Sequence, residues 1–208
     1  MKVREQMILL VALGCGLVAM ASSALAGPGH VNFMIGQKLF DSDEWDPIDK
    51  QSSFGVEGAF GPGRWPVQMA AYLSRASGEE ATSYSGTQFN LDATTYEIGI
   101  GLNKTFTAGK IYPYVGAGLV HAKVDFTAQQ SGTSASDEGS GFGGWGGAGL
   151  FYRVGSTFNL GAAARYSSVD VDFNAYTSTS GVPIPGGTID AGGFTFGVLV
   201  GWGWPKTP

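Results

Sequence analysis

In residues 192–204 (GGFTFGVLVGWGW) large apolar side chains occupy every second position: Phe194, Phe196, Val198, Val200, Trp202 and Trp204. Between them stand Gly193, Thr195, Gly197, Leu199, Gly201 and Gly203. A period of two puts the two sets on opposite faces of a β-strand. The alternation recurs along the chain. Residues 31–40 set Val31, Phe33, Ile35 and Leu39 against Asn32, Gly36 and Lys38; residues 52–60 set Phe54, Val56 and Phe60 against Ser53, Gly55, Glu57 and Ala59. Residues 65–74 oppose Trp65, Val67, Met69 and Leu73 to Gln68, Ala70, Tyr72 and Ser74. In residues 89–104, Tyr96, Ile98, Ile100 and Leu102 oppose Glu97, Gly99, Gly101 and Asn103. Residues 111–126, 142–154 and 158–172 carry the apolar rows Val115-Ala117-Leu119, Ala148-Leu150-Tyr152 and Leu160-Ala162-Ala164-Tyr166. Their opposite rows include Tyr114, Gly116 and Gly118, then Trp145, Gly147 and Phe151, then Asn159, Gly161 and Arg165.

Eight strands result, joined alternately by long and short connectors. Residues 41–49, 75–87, 127–140 and 174–190 are long and polar; 61–64, 105–110 and 155–157 are short turns. An even strand count with short turns on one side and long loops on the other is the arithmetic of a bacterial outer-membrane barrel. Each strand has about the 9–11 residues that a tilted strand needs to cross the hydrocarbon. The pattern predicts an all-β fold, an eight-stranded antiparallel up-and-down transmembrane β-barrel with short periplasmic turns and long extracellular loops.

A soluble barrel would show the same period, with its apolar face turned inward around a ligand. Its outer face would then be Gly99, Gly101, Gly116, Gly118, Gly147 and Gly149, where Lys and Glu are needed for solubility. Aromatic residues also sit near strand ends on the apolar face. Trp65, Tyr152, Tyr166, Phe194, Trp202 and Trp204 are expected at the lipid interfaces, as the girdles of such barrels. Glycine on the inner face leaves room in a narrow interior for Tyr72, Tyr114, Trp145 and Phe151.

Composition adds compartment and partners. Residues 1–26 join a basic start, an apolar run and an Ala24-Leu25-Ala26 site, the three parts of a secretory signal peptide. Residues 27–208 then form a single barrel domain. Without Lys2, Arg4 and Glu5, the 12 basic and 17 acidic residues become 10 and 16, a net charge of −6 that argues against nucleic acid. The one cysteine, Cys15, leaves with the signal, so no disulfide is expected.

The inner face carries four charges, Lys38, Glu57, Glu97 and Arg165. Lipid would penalise each of them, and burial obliges them to pair. The expected lumen network has Arg165 pairing with Glu97, Glu57 or both, and Lys38 nearer the outer mouth. Asp41, Asp43, Glu44, Asp46 and Asp49 crowd the first loop, but Trp45 stands where a calcium loop needs an oxygen ligand. A solvated acidic loop is expected instead, with Trp45 and Pro47 anchoring it at the rim. A serine hydrolase would need a histidine beside a serine and an acid. The mature chain has only His30 and His121; Lys123 and Asp125 share the face of His121, with no serine two residues away. No enzyme, cofactor or metal site is expected.

Pro113-Tyr114-Val115-Gly116-Ala117-Gly118, Ala164-Arg165-Tyr166 and the glycine–aromatic final strand resemble the small outer-membrane β-barrel proteins of diderm bacteria, the broad OmpA/OmpX/OmpW-like group. The resemblance spans the whole mature chain. It implies residence in the cell outer membrane, contact with outer-membrane lipid and lipopolysaccharide, and insertion by the barrel-assembly machinery. The role expected is a structural or surface-interaction one with a side-chain-filled lumen. A narrow pore for small solutes or ions is the alternative, and a lipid-modifying enzyme the third reading.

Overall fold

The computed structural model describes residues 27–41, 45–62, 65–84, 87–130, 133–173, 176–177, 183–184 and 187–204. The expected signal peptide and residues 205–208 lie outside them. Eight strands close into an antiparallel barrel: β1 (Gly29–Leu39), β2 (Lys50–Phe60), β3 (Gln68–Tyr84), β4 (Thr87–Thr105), β5 (Ile111–Gln130), β6 (Thr133–Val154), β7 (Phe158–Phe173) and β11 (Gly193–Trp204). Each pairs with its neighbour in the barrel, and β1 closes on β11 from Gly29↔Trp204 to Leu39↔Phe194. Closure leaves no strand edge in lipid, where an unpaired backbone group costs several kcal/mol. The short elements β8 (Tyr176–Thr177) and β9 (Pro183–Ile184) pair with each other, while β10 (Gly187–Asp190) pairs with the outer end of β7.

The faces follow the alternation. Phe33, Ile35, Ile98, Ile100, Val115, Leu119, Leu150, Leu160, Val198 and Val200 are exposed on the outside, whereas Asn32, Lys38, Glu57, Tyr72, Glu97, Asn159 and Arg165 are buried in the lumen. Small residues fit this interior to its large ones: a Cβ on Gly99 would lie 2.1 Å from the Tyr72 ring, and one on Gly149 2.6 Å from Tyr114. At the turn end, Gly109 and Gly155 take positive φ, at 67° and 63°, which spares a side chain a steric clash.

The long connectors depart from expectation. Residues 75–87 and 127–140 are largely strand, not loop: β3 and β4 stay paired to Tyr84↔Thr87, and β5 and β6 to Gln130↔Thr133. The reason is a reversal of polarity at constant strand phase. Along β5 the outward row changes from Val115 and Leu119 to His121, Lys123 and Asp125, while the inward row becomes Val120, Ala122 and Val124, all buried. Along β7 the outward Leu160 and Tyr166 give way to Asp170 and Asp172, and the inward Arg165 and Ser167 to Val169 and Val171. Above the lipid the wall must be wet outside and dry inside, so the period survives and its sense inverts.

Candidate functional site

The lumen is filled in layers, and the four predicted charges form its middle. Strand alternation brings them inward from β1, β2, β4 and β7. Lys38 donates to Glu97 Oε1 at 2.6 Å and to the Ala191 carbonyl at 2.7 Å. Ser167 donates to the same Glu97 oxygen at 2.8 Å, and the Tyr72 and Ser74 hydroxyls reach Oε2 at 3.3 and 3.4 Å. Below, Arg165 Nη2 donates to Glu57 Oε2 at 3.0 Å, and the Tyr114 hydroxyl donates to Oε1. The Arg165 guanidinium lies 3.5 Å over the Tyr72 ring, with Trp145 edge-on to Tyr72 at 5.3 Å. Of the two partners open to Arg165, Glu57 takes the bond; Glu97 belongs to Lys38, which lies on the outer-mouth side. Buried pairs of this kind hold only when their remaining hydrogen-bonding capacity is filled, and here hydroxyls and a carbonyl fill it.

Above the pairs, the first loop folds inward. Trp45 and Ile48 are buried, Trp45 stacks on Phe40 at 4.1 Å, and its Nε1 donates to the Asp190 carbonyl at 2.8 Å. Phe40 covers the Lys38 ammonium at 4.5 Å. Val120, Val124, Val169, Val171 and Ala191 complete this apolar layer. Trp45 is therefore part of a plug inside the barrel, not an anchor on its rim. Asp190 fixes the bend beside it, its carboxylate accepting from the Val169 and Gly192 amides at 3.1 and 2.7 Å. Asp43 and Glu44 lie outside the described residues.

Below the pairs, His30, Tyr112, Tyr114 and Phe151 form an aromatic floor, with His30 and Phe151 rings 4.9 Å apart and Tyr112 stacked on Phe151 at 5.3 Å. Between floor and pairs a cavity of about 20 Å³, lined by His30, Glu57, Tyr72, Tyr114, Trp145 and Arg165, has room for about one water. Sequence reasoning missed a further lumen charge, Arg153, which donates to Asn159 at 3.0 Å; Asn159 in turn donates to Asn32 at 3.1 Å. The signal was available: Arg153 shares strand phase with Trp145 and Phe151.

Of the interface aromatics, Tyr152, Tyr166, Phe194 and Trp202 are exposed on the outer wall, Trp65 is exposed in the connector before β3 at the turn end, and Trp204 is half-buried over Gly29. Tyr166 and Phe194 are paired toward the outer end; Tyr152 and Trp202 are near the turn end, Trp202 edge-on to Phe158 and Phe33. His121 packs on Phe142 at 4.5 Å, and its buried Nδ1 has no hydrogen-bond partner among the described residues. No metal-sized cluster of His, Cys, Asp or Glu occurs among them.

A polar, paired interior inside an aliphatic exterior is what lipid demands of a spanning barrel. The profile of one family, outer membrane protein beta-barrel domain, matches residues 7–201. The chain belongs to that family. No curated protein matches it in sequence. Among solved structures, the chain is similar to the outer membrane protein OprG of Pseudomonas aeruginosa, at 11% identity over 88% of this chain and 100% of that one, with a TM-score of 0.58. A major outer membrane protein of Thermus thermophilus shares 9% identity over 85% of this chain and 98% of its own, with a TM-score of 0.56. Ail, the attachment invasion locus protein of Yersinia pestis, shares 16% over 86% and 97%, with a TM-score of 0.50. At these identities the likeness is one of fold: the family barrel, set in an outer membrane.

Proposed function

We infer that this family member is a sealed barrel whose role is structural or surface-interacting rather than conductive. One observation carries the reading: apolar plug, ion-pair layer and aromatic floor follow one another along the axis, with about 20 Å³ of space beneath the pairs. Hydrated ions would need all three layers to move. What remains for contact with other molecules is the outer wall, where β3–β4, β5–β6 and β7 rise above the aliphatic band with polar residues outward. That wall is the surface we assign to lipopolysaccharide and extracellular partners.

Refolded protein in a planar bilayer is expected to stay electrically silent. A steady single-channel conductance in the unmodified protein overturns the sealed-barrel reading in favour of a narrow pore. Release of fatty acid from lipid by the purified barrel would overturn both.

A further inference from the structure

The two ends of the barrel differ in charge more sharply than a sealed barrel requires. Among the described residues, every acidic side chain other than lumen Glu57 and Glu97 falls in the loops and strand extensions of the outer end. Among the described residues the turn end holds Lys104, Lys110 and Arg153 and no acidic side chain. In sequence, the adjoining stretches 61–66 and 205–208 also carry basic residues, Arg64 and Lys206, and no acidic ones.

A vestibule of about 310 Å³ opens at this end. His30 and Phe151 floor it, Trp65 and Trp204 stand in its walls, and Lys104 and Arg153 supply its charge. Arg153 is the unusual member. Lys38 and Arg165 each hold a carboxylate at 3.0 Å or less. The contacts of Arg153 among the described residues are neutral: Asn159 at 3.0 Å, the Tyr112 ring at 4.3 Å and the Phe151 ring at 5.5 Å. It is 7% exposed. A buried cation without an anion is costly, and the cost is removed by an anion that arrives from outside. Room is kept for the guanidinium, since a Cβ on Gly203 would stand 2.0 Å from Arg153 Nη2.

We propose that the periplasmic vestibule is a binding site for an acidic peptide segment, with a side-chain carboxylate on Arg153 and an adjacent apolar residue between Trp65 and Trp204. The planar guanidinium matches a carboxylate, and Lys104 on the rim supplies attraction for the approach. Its lining residues His30, Phe151 and Arg153 are buried in the lumen, which sets the vestibule inside the ring of strands. A periplasmic chain end reaches it there, while lipid headgroups lie around the outside of that ring.

The test uses the refolded full barrel in a zwitterionic micelle and two dye-labelled acetylated peptides, Glu-Leu-Glu-Leu and its Gln-Leu-Gln-Leu counterpart, followed by fluorescence anisotropy. The Glu peptide should bind and the Gln peptide should bind at least tenfold more weakly. Arg153→Gln, which keeps a donor for Asn159, should weaken the Glu peptide at least tenfold, and Lys104→Gln about two- to fivefold, roughly the loss of one rim charge. Lys104 lies on the rim, so its variant keeps the test decisive if Arg153→Gln does not refold. Equal binding of the two peptides, no binding to the unmodified barrel, or Lys104→Gln binding unchanged overturns the proposal. So does loss of peptide binding in nanodiscs containing phosphatidylglycerol, which would give the site to a lipid phosphate. The sealed-barrel reading is tested by conductance alone and stands or falls separately.

Discussion

The membrane-embedded half of this barrel and its extracellular extension are built from the same strands in the same phase, yet their interiors are opposites. Within the lipid, the inward row is charged and hydroxylated, as in Lys38, Glu57, Glu97, Arg165 and Ser167, and the outward row is aliphatic. Above it, Val120, Val124, Val169 and Val171 point inward around Phe40, Trp45 and Ile48, and Lys123, Asp125, Asp170 and Asp172 point out. The backbone does not change; the solvent does. An ion pair and an apolar core solve the same problem of filling a closed lumen, each where the outer face leaves the complementary residues available.

Removing one member of the middle layer has the largest expected effect. Glu97→Ala strips Lys38 of its counter-ion and leaves three hydroxyls without their acceptor. Loss of one partner of a buried pair costs about 3–5 kcal/mol, and urea unfolding of the refolded barrel should show a drop of that size. The outer face is next. Val198, 57% exposed and midway along β11, meets lipid; Val198→Arg should cost about 2–4 kcal/mol in bilayers. Trp45→Ala is smaller, because neighbouring side chains relax into part of the cavity it leaves. We expect about 2 kcal/mol, below the usual ~3–5 for a buried aromatic, and hydrogen exchange at Ile48 and Phe40 should rise well before global unfolding.

The embedded half was legible in the sequence because one solvent gave one rule: strand phase alone assigned the faces of Phe33, Glu57, Ile100 and Leu160 correctly. It also placed Lys38, Glu57, Glu97 and Arg165 in a common lumen. Phase gives a face, however, and not a depth, so it left open which carboxylate Arg165 would take. The extension was illegible for a physical reason. Where lipid ends, an inward valine and an outward aspartate replace an inward serine and an outward tyrosine, as at Val169 and Asp170 after Tyr166 and Ser167, and the alternation reads as broken. The acidic neighbours of Trp45 point to a solvated loop, whereas its burial depends on Asp190, far along the chain, whose carbonyl accepts its indole proton.

The smallest effect is expected where the same ion-pair chemistry stands on the wetted outer face. Lys123 on the outward face of β5 bonds Asp125 at 3.0 Å and Glu138 at 2.8 Å, distances as short as those in the lumen. Its side chain is 40% exposed, so water screens both pairs and competes for every donor. Lys123→Ala should therefore cost less than about 1 kcal/mol, and the cost should shrink further in high salt, whereas the Glu97→Ala loss should hardly respond to salt. A Lys123→Ala loss as large as that of Glu97→Ala would mean that the extension is buried against something, and that its outward face is not wetted. Distance alone does not set the worth of an ion pair in this protein; the medium around it does.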